Sequence, residues 1–199
     1  MKRYGISTQE LRAADSAKGM ILEGVAIVYN QPTILFSEDG IDYKEQISSR
    51  ALDGVDLSDV PLRYNHDQGF TILARTRNQS LKLDNRPDGL HFTAALNPEV
   101  QSHKDVYKLV RSGLVNKMSF GFIVGPDGDD YDRLQHLRTV MQIDRLYDVS
   151  IVDQPAYEQT TVEARNQYLA DMPDNGLIMI RSRIAIQAKI GKIKLLMEE

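Results

Sequence analysis

The sequence predicts a mainly β fold, a closed or nearly closed β-barrel with a few helices outside it. Short apolar runs separated by turn residues begin at Gly24 and continue to residue 152, which is typical of successive strands. One segment within this series, residues 97–113, has helical rather than alternating spacing. Six early strands, one helix and three late strands suggest a barrel with the helix packed on its outside.

The predicted strands are short apolar runs. Turn residues separate neighbouring runs, as at residues 38–40 and 86–89. A loop rich in aspartate, within residues 127–132, separates two of the late strands. The predicted strands cover residues 24–29, 43–47, 60–66, 71–77, 80–83, 90–96, 117–124, 136–143 and 145–152.

The predicted helix has clear signals at both ends. Asn97 can cap its start, Pro98 suits the first helical position, and Gly113 suits the residue after its last turn. The apolar residues of the segment recur near one face of such a helix. They are Val100, Tyr107, Val110 and Leu114.

The composition excludes several classes of function. The 199 residues carry 24 Lys and Arg against 28 Asp and Glu, and a net charge of −4 does not favour a protein that coats nucleic-acid phosphates. There is no cysteine, which excludes disulfides, thiolate zinc sites and cysteine nucleophiles. No apolar run approaches the roughly 20 residues of a membrane span. Residues 1–10 lack the apolar core of a signal peptide, so we expect a soluble chain without nucleic-acid or membrane partners.

The chain is predicted to have three parts. Residues 1–20 form a polar N-terminal segment, and residues 21–165 form the barrel domain. Residues 166–199 form a linker and an amphipathic helical tail, because apolar residues recur there at helical spacing and basic residues outnumber acidic ones after Gly176. The apolar stripe of the tail consists of Ile186, Ile190, Ile193 and Met197, and it needs to be covered either by the barrel or by another protein.

Ser119 is a candidate nucleophile because of the strand that carries it. Alternate side chains of residues 117–124 point to opposite faces, so Phe120 and Phe122 face one way while Ser119 and Gly121 face the other. A small hydroxyl beside a glycine leaves room for another backbone to lie close by, as attack on a peptide requires. The same pattern also fits a core strand whose second face happens to be small.

His66 is the candidate general base. It ends a predicted strand and opens a glycine-containing turn, and functional groups are common at such positions. Three other histidines are alternatives that also fit structural roles: His91, His136, and His103 on the polar side of the helix. A zinc site at His66 lacks the short His-x-His or His-x₃-His spacing, so no metal is predicted.

Asp148 is the candidate acid that orients the histidine. Strand alternation over residues 145–152 puts it on one face with Leu146, and a carboxylate among apolar residues is costly to bury without a partner. That partner is either an arginine in a structural ion pair or a catalytic histidine. Asp144 and Asp153 are rival acids in more exposed positions.

Four segments taken together resemble a known family. They are residues 24–29 (Gly-Val-Ala-Ile-Val-Tyr), 64–67 (Tyr-Asn-His-Asp), 117–122 (Lys-Met-Ser-Phe-Gly-Phe), and 146–152 (Leu-Tyr-Asp-Val-Ser-Ile-Val) with the Pro-Ala pair that follows. Over residues 24–165 the chain resembles the tailed-phage prohead serine proteases, the HK97-type capsid maturation proteases. The resemblance implies a herpesvirus-protease-like closed β-barrel ringed by helices.

The resemblance also implies roles for three residues. His66 matches the base and Ser119 the nucleophile, and Asp148 stands where the family more often has glutamate, a side chain one methylene longer. The chain order is histidine, serine, acid, with spacings of 53 and 29 residues. No organic cofactor or metal is implied. Residues 155–157 are the candidate loop for the oxyanion hole, which such a mechanism needs.

The implied activity is that of an endopeptidase, made as a zymogen, that cuts scaffold or capsid-protein segments, and itself, inside the assembling procapsid in the host cytoplasm. Its implied partners are the major capsid protein, the scaffold protein, or a second copy of the chain, and we expect the tail to dock on scaffold or capsid subunits. Two alternatives remain open at this point. A non-catalytic assembly protein would not need both His66 and Ser119, and a small-ester hydrolase would not need a basic amphipathic tail.

Overall fold

The structure is a computed structural model that describes residues 3–7, 11–14, 19–69 and 71–153. These residues form strands, one α-helix and one 3₁₀ turn (Thr76–Asn78), which confirms the mainly β class. The helix is α1 (Gln101–Arg111). The strands are β1 (Arg3–Ser7), β2 (Arg12–Ala14), β3 (Ile21–Val28), β4 (Thr33–Glu38), β5 (Ile41–Ile47), β6 (Pro61–Tyr64), β7 (Ala74–Arg75), β8 (Leu81–Arg86), β9 (Gly89–Ala95), β10 (Lys117–Val124), β11 (Asp129–Asp132), β12 (Leu137–Val140) and β13 (Ile143–Val152).

The described strands form three sheets. Their orders are β1-β10-β13-β6-β7, β11-β12-β5-β4 and β2-β3-β9-β8. Most neighbours are antiparallel, but β6 pairs parallel with β13 and β5 pairs parallel with β12. A barrel needs one continuous ladder. Within the described residues each ladder ends at edge strands, so no closed barrel is found and the predicted herpesvirus-like barrel is not confirmed.

One core joins the three sheets and α1. The apolar face predicted for β10 is confirmed, because Met118, Phe120 and Phe122 are completely or almost completely buried there. Burial of these side chains fixes which face of β10 is left for Ser119. Other side chains in this core come from every sheet and from the helix; they include Leu22, Ile27, Leu62, Leu90, Val106, Val140, Val149 and Ile151.

The helix and its flanks differ from the prediction at one end. Gly113 follows the last turn with a φ of 75°, the left-handed conformation that favours glycine there. The start lies later than predicted, at Gln101: Val100 precedes the first turn, and the Asn97 side chain accepts a hydrogen bond from the backbone N–H of Glu99 ahead of the helix. The prediction that His103 lies on the polar side of the helix was wrong, because its side chain is buried. One ring nitrogen accepts a hydrogen bond from the backbone N–H of Asn97, and the other contacts the Ile72 carbonyl.

Several other elements differ from the sequence prediction. Residues 71–77 contain only the short β7 before a 3₁₀ turn. The aspartate-rich segment contains β11, which pairs with β12, where a loop was predicted. β1 and β2 were also missed, because edge strands can pair through the backbone without an apolar pattern of their own. The predicted linker and helical tail, residues 166–199, lie outside the described residues.

In the part of the chain that the structure describes, no helix combines the length and apolarity needed to cross a membrane.

Candidate active site

Ser119 lies in the middle of β10, between β1 and β13. Its register partners are Ile6 on one side and Ser150 on the other. Phe120 points into the core, so the Ser119 side chain points to the opposite face, where it is fully buried at 0% exposure. The hydroxyl oxygen of Ser119 is 2.7 Å from His66 Nε2.

His66 reaches Ser119 from a tight turn that follows β6. The backbone N–H of Asp67 donates to the Tyr64 carbonyl at 3.0 Å, and both residues between them have positive φ, 50° at Asn65 and 56° at His66. This is the pattern of a type I′ turn. Asparagine tolerates this conformation well, whereas histidine adopts it less often, so the turn holds His66 in a strained backbone conformation.

Asn65 attaches this turn to β13. Its backbone N–H donates to the Ile151 carbonyl at 2.9 Å, which extends the parallel ladder by one bond. Its side-chain oxygen accepts a hydrogen bond from the backbone N–H of Asp153 at 3.1 Å. The histidine is therefore positioned by the strand that carries the candidate acid. The residues give one signal for this turn, an asparagine directly after a strand.

Asp148 approaches the opposite side of the imidazole. Its Oδ1 is 2.5 Å from His66 Nδ1, and the Ser150 hydroxyl donates to the same oxygen at 2.9 Å. The Asp148 side chain is only 2% exposed and that of His66 is 14% exposed. The buried carboxylate therefore has the polar partners that its burial requires. Ser150 was not singled out from the sequence, although strand alternation places it on the same face as Asp148.

A β-bulge corrects the predicted face of Leu146. The pairing of β10 with β13 shifts between Gly121 opposite Asp148 and Phe122 opposite Leu146, which leaves Tyr147 as an extra residue on β13. Strict alternation predicted Leu146 and Asp148 on one face, and this was wrong. The bulge directs Leu146 into the core, where it is buried, while Asp148 faces the histidine.

These contacts form one hydrogen-bonded series from Asp148 through His66 to Ser119. A carboxylate only accepts hydrogen bonds, so Nδ1 of His66 carries the shared proton. In the neutral ring, Nε2 then has a lone pair directed at the Ser119 hydroxyl. That arrangement can remove a proton from a serine and make its oxygen nucleophilic.

The other sequence candidates lie elsewhere. His91 pairs with Asp88, and His136 contacts the Tyr131 hydroxyl. Of the rival acids, Asp144 is exposed, and Asp153 bonds Asn65 through its backbone N–H. The described residues contain no cluster of three or more His, Cys, Asp and Glu suited to a metal ion. Residues 155–157, the candidate oxyanion loop, lie outside the described residues.

A buried serine, an imidazole and a carboxylate bonded in this order form the arrangement found in serine hydrolases. A sequence model of the caudovirus prohead serine protease family matches residues 7–175, and the chain belongs to that family. Membership makes it a serine peptidase with a role in phage capsid maturation, which also associates it with phage capsid proteins and the procapsid. No curated protein and no solved structure matches the chain.

The turn that carries His66 gives a first prediction. Asn65→Ala loses the hydrogen bond that the Asn65 side chain accepts from the backbone N–H of Asp153. It also places alanine at a positive φ, which alanine adopts less readily than asparagine or glycine. Asn65→Gly loses the same bond but suits the turn. We expect Asn65→Ala to lower the free energy of unfolding by about 1–2 kcal/mol more than Asn65→Gly, as measured by urea denaturation. Equal losses in the two variants would show that backbone conformation contributes nothing at this position.

Proposed function

We propose that this protein is a prohead maturation endopeptidase that cleaves segments of scaffold or capsid protein, and its own chain, by a Ser-His-Asp mechanism. The observation that carries the proposal is the continuous series of contacts, 2.5 Å from Asp148 to His66 and 2.7 Å from His66 to Ser119. In this proposal Ser119 is the nucleophile, His66 is the general base and acid, and Asp148 orients the imidazole.

Acylation follows from these roles. His66 Nε2 takes the hydroxyl proton of Ser119 as Oγ forms a bond to the carbonyl carbon of the substrate. The imidazolium formed is stabilised by the carboxylate of Asp148, which is held in place by Ser150. The proton then passes from Nε2 to the nitrogen of the leaving peptide as the C–N bond breaks. The products of this half-reaction are a free amine and an ester of Ser119.

Deacylation repeats the same proton transfers with water. His66 removes a proton from a water molecule as the water oxygen attacks the ester carbonyl. The ester C–O bond then breaks, the proton passes to Ser119 Oγ, and the carboxylic acid product leaves. Each tetrahedral intermediate carries a negative oxygen that requires hydrogen-bond donors. Residues 155–157 remain our candidate for supplying them.

The shorter side chain at position 148 is compatible with this mechanism. The family more often has a longer glutamate at the third position, which leaves in question whether an aspartate can reach the histidine. β13 lies directly beside β6, with Ile151 opposite Tyr64, so the turn after β6 brings the imidazole within 2.5 Å of Asp148. The distance supports Asp148 over Asp144 and Asp153 as the third residue.

The proposal predicts the effect of removing the nucleophile or the base. Ser119→Ala and His66→Ala should each reduce cleavage by about 10⁴-fold or more, and the double variant should be little worse, because the two residues act as a unit. The measurement is digestion of the immature capsid and scaffold proteins of the phage that encodes this protease, with fragments identified by mass spectrometry. This measurement also identifies which of the two proteins is the substrate.

Matched variants make this test specific. Ser102→Ala changes a half-buried serine on α1, and His91→Ala removes a histidine that pairs with Asp88. Both should cleave at the wild-type rate. Wild-type cleavage by Ser119→Ala would refute the assignment of the nucleophile.

Replacement of the acid should have a smaller effect. Asp148→Asn keeps the side-chain size but removes the negative charge that stabilises the imidazolium, so kcat should fall by roughly 10²- to 10⁴-fold. Asp144→Asn, on the exposed side of the same strand, is the control and should leave kcat unchanged. If Asp148→Asn retains full kcat while Asp153→Asn loses it, the third role belongs to Asp153.

A further inference from the structure

In this structure Ser119 is covered by the N-terminal strand of its own chain. β1 pairs antiparallel with β10 over its whole length, with Ile6 opposite Ser119. The Ser119 side chain has no exposed surface, so a peptide bond cannot reach its hydroxyl in this conformation. β1 therefore occupies the edge of β10 beside Ser119.

β1 also competes for the proton of the nucleophile. The Ser119 hydroxyl donates to the Gly5 carbonyl at 2.8 Å, while its oxygen lies 2.7 Å from His66 Nε2. A serine has one hydroxyl proton. When that proton is bonded to the Gly5 carbonyl, it is directed away from His66, which needs it for catalysis to begin.

The peptide group after Gly5 lies beside Ser119 with its carbonyl oxygen towards the hydroxyl. An extended peptide beside β10 would present a carbonyl carbon to the Ser119 oxygen. Here the oxygen of the Gly5 carbonyl faces the hydroxyl instead, as an acceptor. Such a strand blocks the site without being cut in this position.

The fit of β1 depends on glycine at position 5. A Cβ atom built on Gly5 would lie 2.1 Å from the ring of Phe120, far inside contact distance. Phe120 is almost completely buried and stacks on Phe122, so its ring cannot move aside without disturbing the core. Any side chain larger than the hydrogen atom of glycine would therefore push β1 away from β10.

An ion pair holds the outer end of β1. Arg3 donates to Asp129 of β11 at 3.0 Å, and both side chains are mostly buried. Arg138 approaches the same carboxylate at 3.4 Å, so Asp129 keeps a cationic neighbour if Arg3 is removed. β1 is otherwise a five-residue edge strand, the kind of element that opens at low free-energy cost.

We propose that β1 is an inhibitory strand that occupies the substrate position beside Ser119, and that the protease becomes active when β1 leaves β10. This inference rests on the proposed function. A substrate strand then takes the same edge of β10, and it needs glycine at the position that faces Phe120. Phe120 thereby selects glycine both in the inhibitory strand and in the substrate.

The test measures how fast a fluorophosphonate probe labels Ser119 in full-length variants. Gly5→Ala is expected to displace β1 and raise the labelling rate about tenfold or more, because the rate scales with the fraction of molecules in which β1 is open. Arg3→Ala, which loses the ion pair with Asp129, should raise it by a smaller factor. Gly125→Ala is the matched control, because its added methyl group meets only Asp144 at 3.7 Å.

A peptide added in trans provides a second measurement, which can be made on Arg3→Ala even if Gly5→Ala does not fold. A synthetic peptide of residues 1–10 should slow the labelling of Arg3→Ala, and of Gly5→Ala where that variant is folded. The same peptide with alanine in place of Gly5 should not. Thermal melting of each variant is measured in parallel.

The possible outcomes separate this inference from the proposed function. Equal or slower labelling of the folded Gly5→Ala and Arg3→Ala variants would overturn the inhibitory role of β1. If Gly5→Ala does not fold, unchanged labelling of Arg3→Ala together with no effect of the peptide would overturn it equally. Absence of labelling at Ser119 in every variant would refute the proposed function itself, and the inference with it.

Discussion

The parallel pairing of β6 with β13 is the interaction on which the candidate site depends. It sets Tyr64 opposite Ile151, so that the turn after β6 extends across β13 towards β10. A histidine in that turn is then within hydrogen-bond distance of residues on two other strands. Two parallel strands that pair with each other are joined by a long stretch of chain. Residues 66 and 148, which are 82 positions apart in the sequence, therefore meet across this pair of strands.

The bulge at Tyr147 is the second constraint, because it sorts the side chains of β13 between the core and the site. Without the extra residue, Asp148 and Leu146 would share a face, and one of them would be in the wrong environment. With it, the leucine contributes to the core and the carboxylate meets His66 and Ser150. A buried carboxylate is acceptable here because its hydrogen-bond partners are provided by the same local geometry.

The candidate site residues could be singled out from the sequence where the signal was local. Alternation in residues 117–124 predicted the small face that carries Ser119, and the mid-strand charge singled out Asp148, while the roles proposed for both came from the family resemblance. The bulge could not be predicted, because period-two alternation contains no sign of an inserted residue. β1 could not be predicted either: it is polar, and its place beside β10 depends on backbone pairing and on the absence of a side chain at Gly5. The barrel expectation came from the number and order of the predicted strands and from the family resemblance, and the described strands form three sheets instead.

Membership in the prohead protease family and the geometry of Ser119 are consistent with one requirement of capsid assembly. Under the two proposals made above, the covering of Ser119 by β1 keeps a peptidase that is enclosed with its substrates from cutting them early. Asp148 bonds Nδ1 of His66, whose Nε2 faces Ser119 Oγ, and the carbonyl of Gly5 accepts a hydrogen bond from the same serine hydroxyl. Control of one proton between these atoms is the central physical feature of the proposal.

The most direct measurement is to trap the covalent intermediate. The protein is incubated with the immature capsid and scaffold proteins of its phage, quenched in acid during turnover, and digested for peptide mass spectrometry. The account predicts an acyl group on the peptide that contains Ser119, and no such group in the His66→Ala variant. Cleavage that proceeds with the acyl group on another residue, or with Ser119 replaced by alanine, would contradict it.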